Sequence, residues 1–243
     1  MTRTKLGLLG LCAVVLGLTA FSAAAQATTG AKWLILNGKG EIKEGAVLHA
    51  SLGAEAESVH ILHTEILKVK VLFTCTTVKL INAKLLANGS VGEAEGAVKG
   101  SKILYSGCTT TLNGVASPEC TPKDAVDGAG TIVSKAGHGL AFLGIAGEDL
   151  VKVLPDEGEV FAVFEFSATC SLGTKIPVIG KMVFKDCENL ALTHLVKHLS
   201  EVGPGAELWV ISKTEEHKTV ILGSTWLFLT GEHEGLKFSI SNL

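Results

Sequence analysis

The sequence predicts an all-β fold, an antiparallel sandwich or barrel built from many short strands. Three observations support this prediction: 28 glycines punctuate the 243 residues, the apolar runs between them have the length of strands, and several runs alternate apolar with polar residues. At most one short helix is expected, at residues 189–201. Many short strands with regular turn signals are typical of sandwiches and barrels.

The first 27 residues have the three parts of a secretory signal peptide. Arg3 and Lys5 give a basic start, residues 6–21 are an apolar run, and the small residues that follow allow cleavage after Ala25 or Ala27. The run is short for a hydrocarbon core of about 30 Å, which argues against a retained membrane anchor. We therefore expect an exported chain, secreted or at the cell surface, with residues 28–243 as one β-rich domain and no transmembrane segment.

Strand-like runs then follow one another through the first half of the chain. A short apolar strand at residues 33–36 has its expected partner at 46–52, and residues 65–74 alternate and then become wholly apolar, which predicts one strand. Residues 77–87 and 94–105 flank a turn-forming segment and predict a hairpin. Further strand-like pieces are expected at residues 128–134, 139–145 and 151–154.

The second half contains the clearest strand and the one candidate helix. Residues 159–169 are rich in phenylalanine and alternate, which predicts a central strand, and Pro177 with Gly180 predicts a turn before a strand at 181–185. Residues 189–201 place leucines and a valine at helical spacing, which favours a helix, although the same letters also fit a strand. Short strands are expected at residues 207–212, 219–222, 225–230 and 236–240.

Cysteine usage indicates an oxidising compartment. Cys12 leaves with the signal peptide, and the five cysteines that remain predict two disulfides and one spare thiol. The dipeptide Asn113-Gly114 predicts a type I′ turn that folds Cys108 back opposite Cys120, so these two are expected to pair. The remaining cysteines leave two partners open for Cys170, namely Cys187 and Cys75.

Charge and histidine spacing bear on possible ligands. Of the 21 basic residues Arg3 and Lys5 leave with the signal peptide, so 19 remain against 24 acidic residues, and the absence of a basic stripe with aromatics disfavours nucleic acid. Two histidine spacings are worth testing for a metal, namely His60 with His63 and His194 with His198. We expect all four to be surface or half-buried histidines, and no cofactor is predicted.

No catalytic signature is present in the sequence. Neither Gly-x-Ser-x-Gly nor Ser-x-x-Lys occurs, and the carboxylate pairs Glu148-Asp149 and Asp156-Glu157 fall in turns, where acidic residues are ordinarily solvated. A catalytic carboxylate pair is defined by its separation in space, which spacing along the chain does not give.

Several short motifs resemble a large group of uncharacterised secreted actinobacterial β-rich proteins. The resemblance lies in the signal peptide and in five pieces of the mature chain: Ser106-Gly107-Cys108, Glu119-Cys120, residues 130–133, the phenylalanine-rich strand that reaches Cys170, and residues 207–213. It implies an exported β-rich domain with no assigned activity. It also implies the pairs Cys108 with Cys120 and Cys75 with Cys170, and Cys187 departs from this pattern.

Three hypotheses for function follow. The leading one is an exported β-domain without catalytic activity, which acts as a binding or structural module of the cell envelope or extracellular space. The second is a secreted hydrolase whose metal or carboxylate site is assembled only by folding. The third is a barrel that holds an apolar ligand, suggested by the apolar composition and the low aromatic content of 5%.

Overall fold

The regular structure consists of antiparallel β-strands. The computed structural model describes residues 32–35, 50–85, 94–95, 100–143, 148–186, 192–198 and 207–241. Within these ranges the only helical pieces are two single 3-10 turns, Pro118–Cys120 and Gly231–His233, and every strand pair is antiparallel. The predicted all-β antiparallel fold is therefore confirmed. The signal peptide and Cys187 lie outside the described residues, and so do parts of the segments predicted at 46–52 and 189–201.

The strands are numbered in chain order. They are β1 (Lys32–Ile35), β2 (Ala50–Ala56), β3 (His60–Ile66), β4 (Val69–Cys75), β5 (Thr77–Ile81), β6 (Lys84–Leu85), β7 (Ala94–Glu95), β8 (Lys102–Ser106), β9 (Thr109–Leu112), β10 (Val115–Ala116), β11 (Lys123–Asp124), β12 (Gly128–Ala129), β13 (Ile132–Val133), β14 (Gly137–Leu143), β15 (Asp149–Pro155), β16 (Val160–Glu165), β17 (Lys175–Asp186), β18 (Thr193–His198), β19 (Glu207–Ser212), β20 (Glu215–Leu222), β21 (Ser224–Thr230) and β22 (Phe238–Ser241).

Two large sheets share the long strand β17. In the first sheet the order is β7-β14-β15-β17-β18-β21-β2-β6. In the second sheet the order is β12-β11-β16-β17-β19-β20-β3-β4-β9-β10. A third sheet, β5-β8-β13, packs its buried side chains into the same core as the second sheet. Strands β1 and β22 form a separate pair.

β17 bends from one sheet to the other at a glycine. Its first half pairs with β16 and β19, and from Met182 onward it pairs with β15 and then β18. Gly180 has φ +107°, and a Cβ there would meet the carbonyl oxygen of Glu207 on β19. The turn predicted at Pro177 and Gly180 is therefore wrong, because the proline is accommodated inside a strand and the glycine produces a bend instead of a reversal.

The segment predicted as one strand at residues 65–74 contains a reversal. β3 ends at Ile66, and Leu67 (φ 50°) and Lys68 (φ 67°) form a two-residue turn into β4. The prediction failed because turns with positive φ favour glycine and asparagine, neither of which is present. In contrast, the turn predicted at Asn113 (φ 50°) and Gly114 (φ 82°) is confirmed.

The helix predicted within residues 189–201 is wrong for the part that the structure describes. Residues 193–198 form β18, which pairs with β17 on one side and β21 on the other. Val196 and His198 are buried while Lys197 is exposed, and Leu192 of the supposed apolar helix face is 50% exposed. Two partner strands satisfy the backbone of this segment, and this tertiary pairing outweighs a weak helical pattern.

The first strand also finds a different partner from the predicted one. β1 pairs with β22, Trp33 lying opposite Ile240, whereas β2 pairs with β21 and β6. Residues 46–52 were expected beside β1 because neighbours in sequence are usually neighbours in a sheet. In this structure β22 lies beside β1 instead.

Two disulfides join four buried cysteines in pairs that differ from the predicted ones. Cys75 bonds Cys108, and Cys120 bonds Cys170. Both predicted pairs, Cys108 with Cys120 and Cys75 with Cys170, are therefore wrong, as is the alternative of Cys170 with Cys187. The register explains the first bond: Thr74 of β4 lies opposite Thr109 of β9, so the next residues, Cys75 and Cys108, are neighbours with Cα atoms 4.0 Å apart.

The second bond follows from the early end of β10. The strand stops at Ala116, and the 3-10 turn Pro118–Cys120 carries the chain away from β9. Cys120 is consequently fully buried, where it meets Cys170 with a Cα–Cα distance of 4.7 Å. The hairpin at Asn113-Gly114 was correctly predicted, but it is too short to bring Cys120 opposite Cys108.

Candidate functional site

An apolar cavity lies between the first and third sheets. Its volume is about 90 Å³, and its walls include Leu52 of β2, Val78 of β5, Ile103 of β8, Val151 of β15 and Leu227 of β21. These side chains face inward because they occupy alternate positions of their strands. Engineered apolar cavities of roughly 150 Å³ stay dry and bind benzene or xenon, so this smaller cavity suits a group of a few carbon atoms.

The serine and threonine hydroxyl groups that border the cavity are already hydrogen-bonded within the protein. Ser101 Oγ donates to the Asn82 carbonyl at 3.2 Å. Ser134 Oγ accepts the N–H of Ile103 at 2.8 Å and donates to its neighbour's carbonyl at 2.9 Å. Thr225 Oγ1 lies 3.2 Å from His60 Nε2. Because these hydroxyls already have partners within the protein, they do not need a hydrogen bond from a ligand. The cavity therefore favours a hydrocarbon.

The exposed residues bordering the cavity are Lys102 and Lys135, which marks the side where it approaches solvent. On β8 the alternation of side chains directs Lys102 to the face opposite that of Ile103. Its ammonium group therefore belongs to the surface and not to the cavity wall.

A buried pair of histidines stands beside this cavity. His60 begins β3 of the second sheet, and His198 ends β18 of the first sheet. His60 Nδ1 and His198 Nε2 are 3.3 Å apart, and the two side chains are 2% and 8% exposed. The Tyr105 ring of the third sheet lies edge-on to His60, with ring centroids 5.4 Å apart. The pair therefore lies where all three sheets meet.

The hydrogen bonds of the pair determine which nitrogen carries hydrogen. His198 Nδ1 is buried with no hydrogen-bond partner among the described residues. An unpaired buried N–H is rarer than an unpaired acceptor. We therefore assign the hydrogen of His198 to Nε2, from which it is donated to His60 Nδ1, and His60 then donates from Nε2 to Thr225 Oγ1.

Burial keeps both rings neutral at ordinary pH. Removal from water, and to a smaller extent the neighbouring His60, lower the pKa of His198 to about 3. Burial also lowers the pKa of His60, although a backbone contact with Ser224 opposes that shift. A proton on either ring therefore costs free energy in this folded arrangement.

The structure brings together one member of each predicted histidine spacing. His60 meets His198, while His63 is exposed on the opposite face of β3, because residues three apart on a strand face opposite ways. His194 lies opposite Leu227 of β21, and its side chain is outside the described residues. Among the described side chains no group of three or more His, Cys, Asp or Glu residues is placed to hold a metal ion.

The pair was missed as a unit, although each member was singled out. The expectation that His60 and His198 are surface or half-buried is wrong, because both are buried. Within β3 and β18 the histidines take the buried positions of the alternation, beside Leu62 and Val196. The alternation of buried and exposed positions along a strand is the one signal in the sequence for burial of these histidines. It does not identify the strand on the other side of the core that each histidine faces.

One of the turn carboxylates is buried instead of solvated. Asp156 follows β15, and its side chain is 6% exposed. Its Oδ1 lies 2.9 Å from His138 Nδ1, and its Oδ2 accepts the backbone N–H of Gly100 at 2.6 Å. The position in a turn was correctly expected, but the carboxylate fixes the His138 ring and joins two loops.

Together these features define a disulfide-bonded all-β protein with an apolar cavity and a buried histidine pair at its wall. Comparison with protein-family models, with curated proteins and with solved structures finds no match. In the described part of the chain no helix has the length and apolar character needed to cross a membrane. The two disulfides are typical of an oxidising, extracellular environment.

Proposed function

We propose that this chain is an exported binding module, without catalytic activity, that holds a small alkyl group in the cavity between its first and third sheets. The observation that carries the proposal is the wall of that cavity, where aliphatic side chains predominate and the bordering serine and threonine hydroxyls are already bonded. Binding sites for small molecules are concave and mainly apolar. The cavity volume of about 90 Å³ suits a short hydrocarbon or the end of a longer alkyl chain.

Export is supported by two independent features. The first 27 residues have the pattern of a signal peptide, and the structure contains two disulfides that require an oxidising compartment to persist. Expression with the full leader in a secreting host, followed by intact mass measurement, tests this part. We expect a mature chain that begins at residue 26 or 28, with four of its cysteines oxidised in two bonds.

Xenon is the probe for the cavity, because it binds dry apolar cavities without needing a polar partner. We expect a saturable change in the ¹²⁹Xe chemical shift with the mature protein. Ala54→Leu should abolish this change, because Ala54 lines the cavity and an isobutyl group there fills it. Ala116→Leu is the matched control, since it makes the same substitution at an exposed position of β10.

Two results would overturn the binding proposal. One is a xenon signal that is equally strong in Ala54→Leu and in wild type, because the probe would then occupy another place. The other is no saturable signal in folded wild type. Hydrogen-exchange protection of the β2 amides confirms that Ala54→Leu remains folded, which separates loss of the cavity from loss of the fold.

A further inference from the structure

We propose that the His60–His198 pair is an acid-sensitive latch that closes the wall of the apolar cavity, so that acidification opens the junction of the three sheets and releases the bound group. This inference rests on the proposed binding function and concerns its regulation. It is carried by the position of the pair and by its neighbours.

The latch connects elements that no continuous strand ladder joins at this point. His60 belongs to β3 of the second sheet and His198 to β18 of the first, and their ring nitrogens are 3.3 Å apart. The backbone N–H of His198 also donates to the Gly223 carbonyl at 3.1 Å, in the link between β20 and β21. Breaking the ring contact therefore removes a direct bond between the two large sheets.

Glycine at position 223 allows this close approach. Gly223 has φ +136°, and a Cβ built there would lie 2.7 Å from His60 Nδ1, the atom that faces His198. A residue with a side chain would both strain the backbone and displace the His60 ring. The absence of a side chain at Gly223 therefore leaves room for the His60 ring to contact His198 where the sheets meet.

The neighbours of the pair are shared with the cavity. Thr225, which contacts His60, and Phe184, whose ring centroid is 4.3 Å from that of His198, both line the apolar cavity. Tyr105 lines it as well and also borders a second cavity of about 30 Å³ that His60 lines. Displacement of either histidine therefore moves the cavity wall directly.

No carboxylate compensates a proton on either ring among the described contacts. From β8 the pair faces the ring of Tyr105, and burial raises the pKa of the Tyr105 hydroxyl. From β4 Cys75 lies opposite His60, and this cysteine is held in a disulfide. β17 contributes Phe184, and β21 contributes the hydroxyls of Ser224 and Thr225. The carboxylate of Glu57 binds the Ser224 hydroxyl and neither of the two rings.

The direction of the pH effect follows from linkage. A histidine whose pKa is lowered in the closed form binds protons more weakly there than in an open, hydrated form. Opening is therefore favoured as the pH falls below about 6.5, and the effect of His198 continues until the pH approaches its closed-state pKa of about 3. At pH 5 this one residue favours opening roughly thirtyfold.

Native-state hydrogen exchange of the mature protein measures the latch without any ligand. Between pH 7.5 and 5, after correction for intrinsic exchange, the protection of the residue 198 amide should fall roughly thirtyfold in wild type. His198→Phe keeps an aromatic ring against Phe184 but cannot titrate, and its protection should change less than about fivefold. His63→Phe makes the same substitution at an exposed position of β3 and should behave as wild type.

Xenon binding measured over the same pH range tests release. Wild type should lose affinity on acidification, and His198→Phe should retain it. The latch is refuted if wild-type protection is independent of pH, or if the residue 198 amide and the Phe73 amide of β4 lose protection together, since that outcome is global unfolding. Lack of xenon binding at every pH would instead refute the binding function. The pH dependence of hydrogen exchange at the residue 198 amide would then decide by itself whether the latch exists.

One measurement on wild type keeps the test valid if His198→Phe does not fold. The ring resonances of His198 in folded protein must remain those of neutral imidazole from pH 7.5 to 5. Protonation of that ring within the closed protein in this range contradicts the latch, because the proton would then not drive opening.

Discussion

The disulfide pairing yields a stability prediction that separates this structure from the pairing predicted from the sequence. Replacing Cys75 and Cys108 together by alanine removes one bridge, which spans 33 residues, and leaves the other intact. In the chain-entropy model a loop of this length contributes about 4 kcal/mol to the free energy of unfolding. The bridge from Cys120 to Cys170 spans 50 residues and contributes about 4 kcal/mol by the same reasoning.

The decisive comparison is with the double variant Cys75→Ala with Cys170→Ala. In this structure that variant breaks both bridges and leaves two thiols without partners, so we expect a loss of about 8 kcal/mol or no stable fold. Such a loss is comparable to the whole stability of a typical domain, about 5–15 kcal/mol. Cys75→Ala with Cys108→Ala should therefore be the more stable of the two variants.

Urea unfolding followed by tryptophan fluorescence gives the two free energies, and peptide mapping without reduction gives the bonds directly. If Cys75 is instead joined to Cys170, the order of the two variants reverses, and this reversal would refute the pairing. A loss below about 1 kcal/mol in both variants would refute the chain-entropy account while leaving the bonds themselves unaffected.

Three further predictions concern single sites. His198 binds a proton in the unfolded chain below about pH 6.5 but in the folded protein only near pH 3. The free energy of unfolding from urea titrations should therefore be about 2 kcal/mol lower at pH 5 than at neutral pH, and a value independent of pH would contradict the burial of His198. Leu67→Asn combined with Lys68→Gly should raise the free energy of unfolding by roughly 1–2 kcal/mol in urea titrations, because both positions have positive φ. Gly180→Ala should lower the thermal midpoint and cost at least about 2 kcal/mol, and an unchanged midpoint would show that β17 does not bend as described.

Features that depend on a few adjacent residues were predictable from the sequence. The turn at Asn113-Gly114 forms as predicted, because both residues tolerate the positive φ that the turn requires. β19 occupies the predicted residues 207–212, and the phenylalanine-rich β16 lies between two partner strands. Local backbone preference and alternation determine each of these elements.

Two of the failures share a different origin, since in each of them a distant strand decides. Pro177 is tolerated because β17 has to continue across to the first sheet, and β18 is a strand because β17 and β21 lie on either side of it. No short window of the sequence contains these partners. The reversal at Leu67 and Lys68 failed for a local reason, because β3 and β4 are consecutive strands and the two turn residues are of types that disfavour positive φ.

The candidate site illustrates the same limit. His60 and His198 are buried although the sequence predicts surface or half-buried histidines, and the two residues are 138 positions apart. Only the order of strands around β17 brings the ends of β3 and β18 together. The cysteines behave likewise, because four of the five that follow the signal peptide are bonded in two disulfides, each to a partner that spacing alone did not select.

β17 links these observations physically. Because its two halves belong to different sheets, the position of the first sheet relative to the second depends on the bend at Gly180 and on contacts that bridge the sheets elsewhere. The disulfides lie in the core shared by the second and third sheets and do not reach the first sheet. The histidine pair is a hydrogen-bonded link between the first sheet and the second, and it is the link whose strength depends on pH. Acid should therefore loosen the first sheet, which carries one wall of the cavity, while the disulfide-bonded core keeps its structure.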